Sequence, residues 1–172
     1  MNDIARTDRV PQRMLDFLQV LDRPPLAVFE HVVQVASTLT NTPIALVSLV
    51  DRDRVYFMAR TGFDIVEAPG EGSFCRSAIA NPGEMLEVRD ARLDARFATS
   101  PQVTGVPGIR FYAGIPLVIG EDEAIGTLCV IDRVPRVLTE SQRVALDCLA
   151  QITIELLEAR RRDLIAQDHA RQ

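Results

Sequence analysis

The sequence contains no lysine and no tryptophan, and all 19 of its basic residues are arginine. Every motif that requires lysine is therefore excluded. Histidine is nearly absent as well, with His31 and His169 the only two, and aromatic residues make up 5% of the chain. The arginines are outnumbered by 24 acidic residues, for a net charge of −5. That balance provides no basic stripe able to displace counterions from phosphates, so nucleic acid is excluded as a partner. The three cysteines, Cys75, Cys129 and Cys148, are odd in number and form no CxxC pair. This favours reduced thiols in a cytoplasmic protein over a secreted disulfide framework. Residues 1–10 are charged and lack the apolar core of a signal peptide. The longest stretch free of Asp, Glu and Arg, residues 31–50, contains Gln34, Ser37, Thr38, Thr40, Asn41, Thr42 and Pro43. Those groups are costly in hydrocarbon, and no membrane span is predicted. Paired carboxylates, a Ser/His/Asp set, metal-spaced ligands and a phosphate-cradling glycine loop are also missing, which argues against a hydrolase or a nucleotide-dependent enzyme.

What remains is a chain of 172 residues, 47% apolar, long enough to bury one sizeable core. Residues 1–10 read as a disordered tail, 11–168 as a single domain and 169–172 as a second tail. Met14, Leu15, Leu18 and Leu21 repeat at helical spacing until Pro24 and Pro25 break the run. A second helix follows, with Phe29, Val33, Ala36 and Thr40 beside Val28, Val32, Val35 and Leu39 as a broad apolar face. Residues 44–50 and 55–60 read as a β-hairpin around a polar turn. Residues 62–72 read as a loop, 74–80 as a short helix, 85–88 as a strand, and 90–103 as a loop around one helical turn. Two long apolar runs, 109–119 and 124–131, form a second hairpin at the expected centre of the sheet. Strands and helices alternate without βαβ regularity, so the predicted fold class is α+β with a central antiparallel sheet flanked by helices.

A final helix is predicted from Glu140 to about Asp168, opened by the capping-box pair Thr139 and Gln142. At 1.5 Å per residue it is about 43 Å long, enough to reach or pass the edge of the domain. Ala145, Leu149, Ile152 and Leu156 form one apolar stripe; Leu146, Thr153 and Leu157 begin another, with Leu164 further along. A single sheet contact needs one stripe. The second is expected to meet another helix, from the N-terminal segment or from a partner subunit, unless both pack inside the monomer. Arg160, Arg161 and Arg162 read as a solvated face.

Six segments in this order resemble a GAF domain: VSLVDRDRVYFMARTGFD (47–64), SFCRSAI (73–79), VRDARLDARFATSPQV (88–103), IRFYAGIPLV (109–118), IGTLCVID (125–132) and PRVLTESQRVALDCLA (135–150). The resemblance covers nearly all of the chain after Pro25, and it is to the type found at the N-terminus of bacterial sensor histidine kinases and diguanylate cyclases. It implies an antiparallel sheet backed by helices, a ligand cavity on the other face, and a sensory role with frequent dimerisation through the terminal helices. Because no kinase or cyclase segment follows, the expectation is a stand-alone sensor or one acting on a signalling protein in trans.

Fold does not settle function, so each branch of the family is weighed against these residues. The cyclic-nucleotide motif begins Asn-Lys and is absent. Bilin-binding members attach the chromophore through a Cys commonly followed by His, whereas Arg76, Val130 and Leu149 follow the three cysteines here. His31 and His169 are poor candidates for a haem ligand. The cofactor is left unknown. Free methionine-R-sulfoxide reductase, the enzymatic branch, has a Cys near the position of Cys75, but its catalytic Cys lies nearer the stretch matching 109–117, which has none. The alternative for the cysteines is three inert thiols, with Cys148 on the sheet-facing side of the last helix.

The candidate ligand-binding residues are Phe74, Cys75, Asp94, Arg96, Phe97, Arg110 and Tyr112. Arg96 offers a fork for a carboxylate or phosphate, or else pairs with a nearby acid while Asp94 caps a turn. By strand alternation Arg110 and Tyr112 face the cavity if Phe111 packs on the helices. Gly114 permits a close approach to the strand. The reading is a non-enzymatic sensor for an unidentified small molecule, acting as a homodimer or through a partner. Its rivals are a reductase-like thiol enzyme and a docking domain that binds no ligand.

Overall fold

The computed structural model describes residues 27–51 and 53–171. The tail at 1–10 and the first predicted helix, around Met14 to Leu21, lie outside the described residues. Helix α1 spans Ala27–Thr40 and buries Phe29, Val32, Val33, Ala36 and Thr40. Asn41 ends it at φ 51°, with the Thr42 N–H returning to the Ser37 carbonyl at 3.1 Å. Asparagine tolerates that left-handed turn, and Pro43 then prevents the helix from resuming. The broad apolar face is only partly buried, since Val35 and Leu39 stay exposed.

Six strands follow: β1 (Ile44–Val50), β2 (Arg54–Thr61), β3 (Glu67–Pro69), β4 (Leu86–Val88), β5 (Phe111–Ile119) and β6 (Glu123–Asp132). They form one sheet in the order β3-β2-β1-β6-β5-β4, with every pair antiparallel. Both predicted hairpins are present, but the centre of the sheet is β1 beside β6, and β5 lies one step out. Strand β1 is buried along its whole length, which is why, Ser48 apart, it reads as an apolar run instead of alternating with polar residues. Strand β3 falls inside the predicted loop. Its three residues are one acid, Glu67, then Ala68 and Pro69, and Pro is tolerated there because β3 is an edge strand.

The two faces of the sheet carry different layers. Ala45, Val47, Leu49, Phe111, Ala113, Leu117 and Leu128 pack against α1 and the terminal helix α4 (Glu140–His169). Ile44, Leu46, Tyr112, Cys129 and Ile131 face the opposite way, under the short helix α2 (Phe74–Ile79) and the loops that follow it. Residues 90–103 hold two turns instead of one, a 3₁₀ turn at Ala91–Leu93 and helix α3 at Pro101–Thr104.

Helix α4 begins with the predicted capping box: Gln142 N–H donates to Thr139 Oγ1 at 3.2 Å, and Thr139 N–H donates to Gln142 Oε1 at 2.9 Å. Its packed stripe is Leu146, Leu149, Ala150, Thr153 and Leu157. Ile152, assigned from sequence to the first stripe, is 54% exposed, and Cys148 is exposed instead of facing the sheet. Arg160 is buried, unlike its neighbours Arg161 and Arg162, so the three arginines do not share a solvated face. At 30 residues the helix is about 45 Å long. No described helix is long and apolar enough to cross a membrane.

Candidate ligand cavity

Between α2 and the sheet lies a cavity of about 30 Å³. Leu46, Val55, Ile131 and Tyr112 rise from the strands as its floor, Phe74 and Cys75 come down from α2, and Gln102 of α3 with Phe63 and Pro107 of the loops close the rim. The face is shaped chiefly by an aromatic stack. Phe74 lies between Phe97, with ring centroids 4.1 Å apart, and Tyr112, at 5.0 Å. All three are almost fully buried. Helix α2 holds Phe74 and Cys75 in place because Ser73 caps it, its hydroxyl accepting from the Arg76 N–H at 3.1 Å.

The polar part of this core gathers around one sulfur. Tyr112 Oη donates to Cys75 Sγ at 3.6 Å and Thr127 Oγ1 donates to it at 3.4 Å. The Ser48 hydroxyl lies 2.7 Å from Thr127 Oγ1, and Cys129 is buried in the same cluster as Cys75. Gly114 makes the Tyr112 position possible, since a β-carbon there would overlap the tyrosine hydroxyl. The close approach expected at this glycine is thus made by the strand's own Tyr112.

The donors set the protonation pattern. The Cys129 thiol, opposed by burial and helped by Ser48, Thr127 and Tyr112, holds the Cys75 thiol down to about 6. Its hydrogen bond to Cys75, then burial, then the negative charge on Cys75 push Cys129 well above the ordinary thiol value. Burial, then the charges on Cys75 and Cys129, raise Tyr112, which stays a neutral donor. An unfolded thiol titrates near 8.5. Between about 6 and that value the folded state therefore binds fewer protons at Cys75 than the unfolded state does, so stability rises with pH. The contribution is complete above the unfolded value and is lost as pH falls through the folded one. The unfolding free energy of the wild type minus that of Cys75→Ala will accordingly grow across this window and be flat below it, measured by urea titration at a series of pH values. A difference independent of pH would contradict the assignment.

Of the seven candidate residues, the structure brings Phe74, Cys75 and Tyr112 to the cavity and stacks Phe97 behind Phe74. Asp94, Arg96 and Arg110 do not line it. Asp94 accepts from the Arg96 backbone N–H at 3.0 Å and from its guanidinium at 2.6 and 3.0 Å, on an exposed turn. Arg110 turns back to the carbonyls of Val103, at 2.8 Å, and Ile109, at 3.1 Å. Phe111 packs on the helix side and Tyr112 on the cavity side, as strand alternation requires. Sequence reasoning missed Ser48, Thr127 and Cys129 as members of one group. The signal available was a Ser and a Thr in the middle of two apolar strands, where a polar side chain needs a partner.

Residues 24–155 match the GAF domain family. The chain belongs to that family. A cyclic di-GMP phosphodiesterase of Pseudomonas aeruginosa is 46% identical over 125 residues, 73% of this chain and 21% of that protein. The GAF domain described here thus spans about a fifth of the length of that relative. Among solved structures, a free methionine-R-sulfoxide reductase of Neisseria meningitidis superposes with a TM-score of 0.65 at 18% identity, covering 95% of each chain. A domain of a sensor histidine kinase protein, described as putative, from Sinorhizobium meliloti gives 0.63 at 18% identity, covering 81% of this chain and 94% of the other. At these identities the two structures establish a shared fold and nothing finer.

Proposed function

We propose that this GAF domain is a non-enzymatic sensory module that binds a small molecule beneath α2 and signals through a homodimer or a partner protein in trans. The observation that carries the reading is the cavity itself: an apolar hollow with a few convergent polar groups, walled on one side by rigid strands and on the other by loops. A ligand larger than the present space enters by parting the Phe63 and Gln102–Pro107 rim, while the strand floor stays fixed. The reductase reading fares worse, because residues 109–117 contain no cysteine. The identity to a cyclic di-GMP phosphodiesterase points to an enzyme of that class as the output partner.

The proposed dimer uses the outer flank of α1 and α4. Val35 and Leu39 on α1, and Val144, Cys148 and Ile152 on α4, are exposed although most of them are apolar. The two helices pack side by side, tied by Gln142 Nε2 donating to the Leu39 carbonyl at 3.2 Å. Covering such a flank with a second copy removes apolar surface from water. Light scattering on the full chain is expected to give the mass of two subunits, and Ile152→Glu, at an exposed site that leaves the fold intact, is expected to give one. Equal masses for the two proteins would remove α4 from the interface.

A further inference from the structure

Cys75 and Cys129 belong to different elements, α2 and β6, yet they share one buried cluster, and Cys129 sits on the same face of β6 as Thr127, whose hydroxyl donates to Cys75 Sγ at 3.4 Å. Two hydroxyl donors converge on Cys75 Sγ, Tyr112 Oη and Thr127 Oγ1, the second supported by Ser48. A neutral thiol sulfur is a weak acceptor, and a sulfur surrounded by donors in an otherwise apolar core is built to carry negative charge. The thiolate is the form that attacks electrophiles. Cys75 also lines the cavity of about 30 Å³, which gives a small molecule a path to the sulfur. A water needs about 10–15 Å³ of such space, so hydrogen peroxide fits without any movement of the rim.

We propose that Cys75 and Cys129 form a redox-active dithiol that is oxidised to an internal disulfide by hydrogen peroxide. The Cys75 thiolate attacks one peroxide oxygen; a sulfur–oxygen bond forms as the oxygen–oxygen bond breaks, leaving Cys75 sulfenic acid and a hydroxide that becomes water on taking a proton. Cys129 sulfur then attacks Cys75 sulfur. The sulfur–sulfur bond forms, the sulfur–oxygen bond breaks, and the departing hydroxide takes up the Cys129 proton as a second water. Two thiols have lost two electrons to the peroxide, and Cys129 has acted as the resolving thiol. Tyr112 and Thr127 position and stabilise the attacking sulfur without exchanging electrons. The inference goes beyond the sensory reading and does not depend on it, since it requires neither a dimer nor a bound ligand.

The test uses the full reduced chain treated with equimolar hydrogen peroxide, then denatured, alkylated and mapped by mass spectrometry. The expected product has lost two hydrogens, yields a cross-linked Cys75–Cys129 peptide pair, and leaves Cys148 alkylated. Cys129→Ser is expected to stop at Cys75 sulfenic acid, which a dimedone probe traps, and Tyr112→Phe to slow the wild-type reaction roughly tenfold by removing one donor. Recovery of Cys75 and Cys129 fully alkylated from peroxide-treated wild type, with oxidation confined to the exposed Cys148, would overturn the proposal. This wild-type readout stands whether or not either variant folds.

Discussion

Gly126→Ala will abolish folding or lower stability by about 4 kcal/mol or more, an effect reserved for backbone or core disruption. Gly126 lies on β6 opposite Leu49 of β1, at the junction of the two central strands. A β-carbon at that position would overlap the Ser48 carbonyl oxygen, a backbone atom and not a side-chain tip that can swing aside. Neither strand can retreat, because β1 is bonded to β2 on its other edge and β6 to β5 on its own. Relief would require breaking the ladder that carries both core faces. Gly83 provides the control, since no atom lies within 4 Å of a β-carbon built there. Urea denaturation followed by circular dichroism should place Gly83→Ala within about 0.5 kcal/mol of wild type. A Gly126→Ala protein as stable as that control would contradict the packing of β1 against β6.

Phe74→Ala carries the second large effect, expected at about 3–5 kcal/mol for loss of a buried aromatic side chain. Phe74 is the middle ring of the stack with Phe97 and Tyr112, so its removal deprives both neighbours of a face. The vacated volume joins the existing cavity of about 30 Å³. An apolar void of that kind stays dry and accepts small apolar guests. The variant's melting temperature should therefore rise on addition of benzene or indole, while that of the wild type does not. Stabilisation of both proteins to the same degree would show that Phe74 is not what limits the space.

Much of this architecture was legible because apolar period reports directly on burial. The runs 44–50, 109–119 and 124–131 became strands, and the Thr139 and Gln142 pair marked the start of α4. The element missed, β3, is three residues of Glu67, Ala68 and Pro69, with no apolar signal, held by pairing to β2 and by the ion pair from Arg54 to Glu67 at 2.8 Å. Helical stripes proved harder. On α4 the two candidate stripes lie side by side, and only the positions of α1 and the sheet decide that Leu146, Thr153 and Leu157 go inward while Cys148 and Ile152 stay out.

The site was legible where a residue's role follows from alternation and obscure where it depends on register. Tyr112 and Phe111 could be assigned to opposite faces from sequence alone. Cys129 joins Cys75 only because β6 is registered so that Cys129 stands opposite Gly114 and next to Thr127's strand position. Asp94 and Arg96 looked like ligand-binding groups by type, yet their short spacing lets each satisfy the other on an exposed turn. A local ion pair of that kind leaves no free fork for a carboxylate.

In the proposed function, the hollow beneath α2 is a sensor's binding site coupled to a dimer. Native mass spectrometry of the freshly purified 172-residue chain, compared with its denatured mass, addresses both parts in one experiment. Two subunits carrying a small non-covalent adduct that is lost on denaturation are expected. A bare monomer would contradict it and place the ligand-free docking domain first.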